Sequence, residues 1–132
     1  MSEENVEIVR RMIKAFEERD AEALIECTDA DGELLLPRNL IEGGSYKGHA
    51  GMRQALTDAF DTWESIMFEV HDVRATDDCV VVLSRTTNVG KGETPTVEYE
   101  IGYLFRMRGN KIIYMRPYLS PHEALKAAGL GE

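Results

Sequence analysis

Tyr99 and Tyr103 are the residues of this sequence whose type and spacing most suggest chemistry. They lie in residues 96–107, where apolar and polar side chains alternate as in a strand with one buried face. A phenol hydroxyl on a buried face needs a hydrogen-bond partner, and it can donate to a carbonyl oxygen as oxyanion-hole groups do. The two tyrosines are therefore candidate catalytic residues or ligand donors.

Aromatic and methionine side chains are predicted to share the helix-facing side of the sheet with these tyrosines. If the sheet curves, they line a concave pocket; if it does not, they fill a core. Hydrogen-bonding needs of the tyrosines favour the pocket. The other members of this set are Met12, Phe16, Phe60, Trp63 and Met115.

Metal, nucleophile and phosphate chemistry lack a signal in the sequence. His49, His71 and His122 have no zinc-like or facial-triad spacing to other ligand residues. No nucleophile elbow and no glycine-rich phosphate loop is present. Cys27 and Cys79 are interpreted as free buried thiols. We predict no metal site and no cofactor.

Charged residues alternate on the opposite face of the same strands. Glu98 and Glu100 are expected to lie near Arg85 and Arg116 of the flanking strands. Cross-strand pairs of opposite charge stabilise a sheet slightly, so the set suits an exposed ladder or a dimer face. A carboxylate–arginine site is the functional alternative.

The order of predicted elements indicates how these residues are positioned. Helical periodicity covers residues 3–19, 21–27 and 48–63, and a short strand is expected at residues 34–37. Period-two patterns follow at residues 66–70, 80–87, 96–107 and 111–119. Ser120 and Pro121 then begin a last helix. Helices followed by hairpin-linked strands predict one α+β domain, residues 1–132, with an antiparallel sheet.

Composition restricts the partners. The chain has 132 residues, 43% of them hydrophobic, and a net charge of −9. The negative charge repels phosphate backbones, so nucleic acid is excluded as the main partner. No apolar run is long enough for a membrane span, and the acidic start is unlike a signal peptide. A cytoplasmic location is therefore expected.

Several short motifs together resemble a known family over essentially the whole chain. They occur at residues 4–11 (ENVEIVRR), 20–24 (DAEAL), 29–31 (DAD), 46–51 (YKGHAG), 63 (W), 118–119 (YL) and 128–130 (AGL). In order and spacing they resemble the SnoaL-like branch of the nuclear-transport-factor-2-like superfamily, which includes ketosteroid isomerases and polyketide cyclases. The resemblance implies a cone-shaped, strongly bent antiparallel sheet wrapped by three helices of the N-terminal half, plus a short C-terminal helix. It also implies a cavity at the open end and frequent dimerisation through the sheet.

The known catalytic sets of this superfamily do not carry over to this sequence. By alignment of the motifs, Met12 stands where the isomerases have a tyrosine, and Leu36 where they have a general-base aspartate. Tyr103 falls at the position of their protonated aspartate, and Pro117 replaces the cyclase aspartate. The resemblance thus adds Leu36, Pro117 and, near the mouth, Tyr46 to the predicted pocket lining.

These observations predict a protein that binds a small, mostly apolar molecule bearing a carbonyl or phenol group. The protein lacks the known catalytic residues of the isomerases and cyclases. The alternatives are a cyclase or isomerase-like enzyme with a divergent acid–base set and a non-catalytic dimerisation or partner-binding module. In the enzyme, Arg38, Tyr46 or His49 near the mouth would supply the polar partner. The predicted partners are a small molecule and a second copy of the chain, paired through the face bearing Arg85, Glu98, Glu100 and Arg116.

Overall fold

A computed structural model describes residues 2–130 of the chain; residue 1 and residues 131–132, which include both limits of the predicted domain, lie outside the described residues. The helices are α1 (Ser2–Glu17), α2 (Ala21–Cys27), α3 (Asn39–Glu42), α4 (Gly48–Thr62) and α5 (Pro121–Ala127). The strands are β1 (Thr28–Leu34), β2 (Tyr46–Lys47), β3 (Trp63–Ala75), β4 (Cys79–Gly90), β5 (Val97–Arg108) and β6 (Lys111–Tyr118).

The six strands form one open sheet in the order β2-β1-β6-β5-β4-β3. The α+β fold with a bent sheet and N-terminal helices is confirmed. The sheet is mixed, however, because β1 pairs with β6 in parallel, with Leu34 opposite Met115. Turn and hairpin signals are local, so they do not reveal a pairing between strands about 80 residues apart in sequence. A register shift between Val70 and Asp72 helps to bend the long β3–β4 ribbon.

The concave face of the sheet meets the N-terminal helices. Helix α1 is amphipathic, and its residues Val9, Met12 and Phe16 are buried against the sheet. Helix α4 packs on β1, β2 and β3. Tyr103 and Phe105 of β5 face these helices from the centre of the sheet. The concave face therefore carries the main hydrophobic core.

Helix α5 covers half of the convex face. In this half Val81, Leu104 and Ala124 form a second buried cluster. A Cβ atom at Gly102 would lie 2.5 Å from Cβ of Ala124, so this glycine lets α5 approach β5 closely. The sequence shows the start of α5, where the Ser120 side chain accepts from the Glu123 backbone N–H. It does not show which surface the helix covers.

The region around β1 differs from its prediction. The predicted strand at residues 34–37 lies at and beyond the end of β1, which begins earlier and includes residues 29–32. Arg108 reaches both Asp29, at 3.0 Å, and Asp31, at 3.4 Å. The guanidinium thereby balances two acids that would otherwise disfavour an extended segment. Helix α3, with no apolar period of its own, was not predicted.

Candidate functional site

A cavity of about 460 Å³ lies between the helices and the concave face of the sheet. Its walls come from α1, α3, α4 and the four strands β3 to β6, together with the chain after β1. Most of its surface is carbon. The apolar lining residues include Met12, Ile13, Phe16, Leu36, Ala59, Trp63, Ile66, Phe68, Phe105 and Met115. The curvature of the sheet thus leaves space that the side chains do not fill.

One polar group of the lining is centred on Tyr103. Its hydroxyl lies 3.0 Å from Oγ1 of Thr86, and Thr86 lies 3.4 Å from Oγ of Ser84. All three residues are buried. Burial raises the pKa of Tyr103 far above its ordinary value, so the phenol is neutral and can donate a hydrogen bond.

A second polar group joins neighbouring strands closer to the mouth. Nδ2 of Asn88 donates to the Tyr99 hydroxyl at 3.3 Å. Oδ1 of Asn88 is buried and has no hydrogen-bond partner among residues 2–130. Desolvation by burial raises the pKa of Tyr99, so this phenol also keeps its proton.

Carboxylates line the cavity only at its mouth, among the described lining residues. Asp58 accepts a hydrogen bond from Tyr46 at 2.7 Å and another from Gln54 at 2.7 Å. These bonds, the Tyr46 bond first, lower the pKa of Asp58. Glu42 lies 3.9 Å from Nε of Arg38. A stabilised, hydrogen-bonded carboxylate is a weak base, so this arrangement suits orientation of a ligand better than removal of a proton from carbon.

The mouth also carries large apolar side chains that face solvent. Ile41 of α3, Val97 at the start of β5 and Leu119 after β6 all line the cavity and are exposed. The entrance to the cavity is therefore apolar as well as its interior.

The structure brings most of the predicted pocket residues together. The predicted residues that line the cavity are Met12, Phe16, Leu36, Trp63, Tyr99, Tyr103 and Met115. Phe60 instead packs between Phe16, at 5.9 Å between ring centres, and the Arg19 guanidinium, at 4.3 Å from its ring. Tyr46 does not line the cavity, and its hydroxyl bonds to Asp58, which does. Pro117 is fully buried beside Tyr103 in the sheet without reaching the cavity.

Two cavity-lining positions on β4, Thr86 and Asn88, were missed at the sequence level. Ser84, Thr86 and Asn88 alternate along a strand whose other side is partly apolar, and all three are buried. Polar side chains at every second position of a central strand were the available signal. Of the residues expected near the mouth, Arg38 lines the cavity, whereas His49 bonds to the backbone oxygen of Thr28 at 3.0 Å.

The predicted dimer face divides into two parts. Arg85 lies 2.7 Å from Glu100, and His71 contacts the same carboxylate at 3.4 Å. Glu98 accepts from Thr87 on the adjacent strand at 3.2 Å. Arg116 is separate: its guanidinium stacks on the Tyr118 ring at 4.7 Å, beside helix α5.

Residues 2–130 contain no group of three or more histidine, cysteine, aspartate or glutamate side chains placed to hold a metal ion. In the same range, no helix has the length and apolar character needed to cross a bilayer. Cys27 and Cys79 are free thiols, both buried. Burial raises the pKa of each, so neither is poised as a thiolate nucleophile.

Solved structures similar to this chain share its fold. A nuclear-transport-factor-2-like protein from Burkholderia xenovorans is 24% identical, with a TM-score of 0.77 over 96% of this chain and 97% of that chain. A protein from Jannaschia, provisionally named a SnoaL-like polyketide cyclase, is 20% identical, with a TM-score of 0.76 over 89% and 85%. TerC, co-crystallised with polyporic acid, is 21% identical, with a TM-score of 0.75 over 93% and 98%.

Comparison at the level of sequence identifies the family. No curated protein matches the chain. The family model described as the SnoaL-like domain matches residues 9–115, a range that holds most elements of the cone and most of the cavity lining. The chain belongs to the SnoaL-like domain family, within the ketosteroid isomerase-like fold.

Proposed function

We propose that this protein binds a small, mostly apolar, neutral molecule bearing a carbonyl or phenol group in the cavity of the cone. The observation that carries the proposal is the open cavity itself. Its volume of about 460 Å³ lies within the range of roughly 300–1,000 Å³ that is usual for small-molecule sites. Cores are normally packed without such voids, so the space is a feature that the fold maintains.

The polar groups of the cavity define what such a molecule carries. Tyr103 and Tyr99 are neutral phenols in apolar surroundings, and each can donate to a carbonyl or phenol oxygen. The acids of the described lining, Glu42 and Asp58, lie at the mouth and leave the floor uncharged. TerC, which has a similar fold, was co-crystallised with polyporic acid, and this supports an organic molecule as the proposed ligand.

Binding is favoured over catalysis because the described lining lacks a suitable base at the floor. Enolisation needs a base within hydrogen-bond reach of a carbon acid. Asp58 is held by Tyr46 and Gln54, and its pKa is lowered rather than raised. A cyclase or isomerase-like enzyme would have to use Asp58 in spite of these bonds.

Asp58→Asn should leave ligand affinity within about twofold of the wild type, since the hydrogen bonds at the mouth can re-form around an amide.

The oligomer proposed for the protein is a homodimer paired through the uncovered half of the convex face. This half carries Arg85, Glu98 and Glu100, while α5 covers the other half. Met67 lies on the same face and is 53% exposed, which adds an apolar contact to the charged set. The two free buried cysteines agree with a reducing compartment such as the cytoplasm.

Ligand binding is tested by titration of an apolar ketone, deoxybenzoin, with the fluorescence of Trp63 as readout. Trp63 is the single tryptophan of the chain and lines the cavity. Saturable quenching is expected in the wild type. Ala59→Leu, which fills part of the cavity, should weaken it, whereas Thr57→Leu adds the same side chain on the exposed side of α4 and should not. Quenching that is absent, or equal in both variants, contradicts the proposal.

A further inference from the structure

Asn88 is the one cavity residue, among those described, that has a buried polar side-chain atom without a hydrogen-bond partner. It lies on β4, is 7% exposed and faces the cavity. Its Nδ2 donates to the Tyr99 hydroxyl at 3.3 Å, but its Oδ1 accepts from no group in residues 2–130. Native proteins rarely keep a buried acceptor without a donor, and such groups mark places where a ligand or water completes the bonding.

The Tyr99 hydroxyl supplies a complementary group beside that oxygen. Its oxygen already accepts from Asn88, so its hydrogen is available to donate into the cavity. Burial keeps the phenol protonated, as its raised pKa indicates. Asn88 and Tyr99 together therefore present one acceptor and one donor to the same space.

This pattern does not depend on how the amide is oriented. If the Asn88 amide is rotated by half a turn, Tyr99 donates to Oδ1, and Nδ2 becomes the free donor. The Tyr99 oxygen then provides the free acceptor. In both orientations the pair has one unused donor next to one unused acceptor.

We propose that the Asn88–Tyr99 pair recognises a hydroxyl or N–H adjacent to a carbonyl in the bound molecule, as in an α-hydroxyketone. The inference rests on the proposed function and names the ligand group. A carboxylate has no donor for the pair, whereas an ammonium has no acceptor. Apolar walls around the pair, including Ile66 and Trp63, favour aromatic or alkyl groups on both sides of that function.

Two probes that differ by one hydroxyl test the proposal. Benzoin is an α-hydroxyketone flanked by two phenyl rings, and deoxybenzoin is the same ketone without the hydroxyl. In a purely apolar cavity the extra hydroxyl weakens binding because it loses its water. Here we expect benzoin to bind about 10-fold more tightly than deoxybenzoin, since its hydroxyl donates to the unpaired acceptor.

Variants at the two positions separate the two halves of the interaction. Asn88→Leu keeps the branched four-atom skeleton of the side chain and removes the acceptor, so the preference for benzoin should disappear. With the Asn88 amide oriented as in the structure, Tyr99→Phe removes the donor to the ketone that both probes share. Both affinities should then fall about fivefold while the preference for benzoin remains. Because Tyr99→Phe retains Asn88, it still tests the proposal if the leucine variant does not fold.

The results with the two probes separate failure of the α-hydroxyketone assignment from failure of the proposed ligand binding. Binding of both probes with no preference for benzoin in the wild type overturns the α-hydroxyketone assignment and leaves the apolar binding site standing. A preference that persists in a folded Asn88→Leu protein also overturns it. Failure of both probes to bind the wild type overturns the proposed function together with the inference.

Discussion

A leucine at position 59 should raise the stability of this protein, because the side chain of Ala59 faces the open cavity. Ala59 lies on α4, is 7% exposed and lines the cavity of about 460 Å³. Three additional carbon atoms would enter space that no other side chain occupies. In a packed core the same change would force neighbouring side chains apart.

The magnitude follows from burial and entropy. Burial of three carbon atoms at about 0.8 kcal/mol each favours folding by roughly 2.4 kcal/mol. Ordering the longer side chain costs about 0.5–1 kcal/mol, and leucine is slightly poorer than alanine in a helix. Ala59→Leu should therefore increase the free energy of unfolding by about 1–2 kcal/mol.

Ala55 provides the matched control on the same helix. It is fully buried in the core cluster and does not line the cavity. Ala55→Leu should lower the free energy of unfolding by about 1–3 kcal/mol, because there is no space for the added atoms. Urea denaturation followed by far-ultraviolet circular dichroism measures both. If the two variants are destabilised alike, the core is filled and the reasoning is refuted.

Three further predictions follow from particular contacts. Tyr103→Phe should lower the affinity for deoxybenzoin about fivefold, and the variant should still fold. Because burial raises the pKa of Tyr103 above its ordinary value of 10.0, the free energy of unfolding of the wild type should fall as the pH rises above 10, where the tyrosine of the unfolded chain ionises. Urea titrations should show a smaller fall for Tyr103→Phe. An equal fall in the two proteins contradicts the burial of this phenol. Gly102→Ala should cost about 1–3 kcal/mol because its Cβ would lie 2.5 Å from Ala124, and Ala124→Gly should restore part of it; a neutral Gly102→Ala would show that α5 does not pack there. Arg85→Glu, which places a second acid opposite Glu100, should convert a dimer to a monomer in sedimentation equilibrium, and a monomeric wild type at micromolar concentration contradicts the dimer.

The positions of the two tyrosines were predictable because strand periodicity is a local property. Apolar side chains occupy every second position from Val97 to Met107, so Tyr99 and Tyr103 had to share one face of β5. That face meets the helices, as predicted, and Tyr103 is only 4% exposed. The resemblance to the family then indicated a bent sheet, and with it a cavity rather than a filled core.

Other features depend on contacts between distant parts of the chain. The parallel pairing of β1 with β6 and the packing of α5 on Gly102 join segments whose local sequences contain no sign of their partner. Tyr46 is of a residue type that often lines cavities, but its hydroxyl donates a hydrogen bond to Asp58 at the mouth. Asn88 has an unpaired oxygen only because no neighbouring strand supplies a donor, which periodicity cannot show.

We propose above that the cavity is open and accepts an apolar ketone. The most direct test is a crystal structure of the protein grown with deoxybenzoin. We predict density for the probe between Trp63, Tyr103 and Met115, with the ketone oxygen within hydrogen-bond distance of a tyrosine hydroxyl. A cavity closed by Met12, Leu36 and Met115, with no probe inside, would show that the protein does not bind a ligand there.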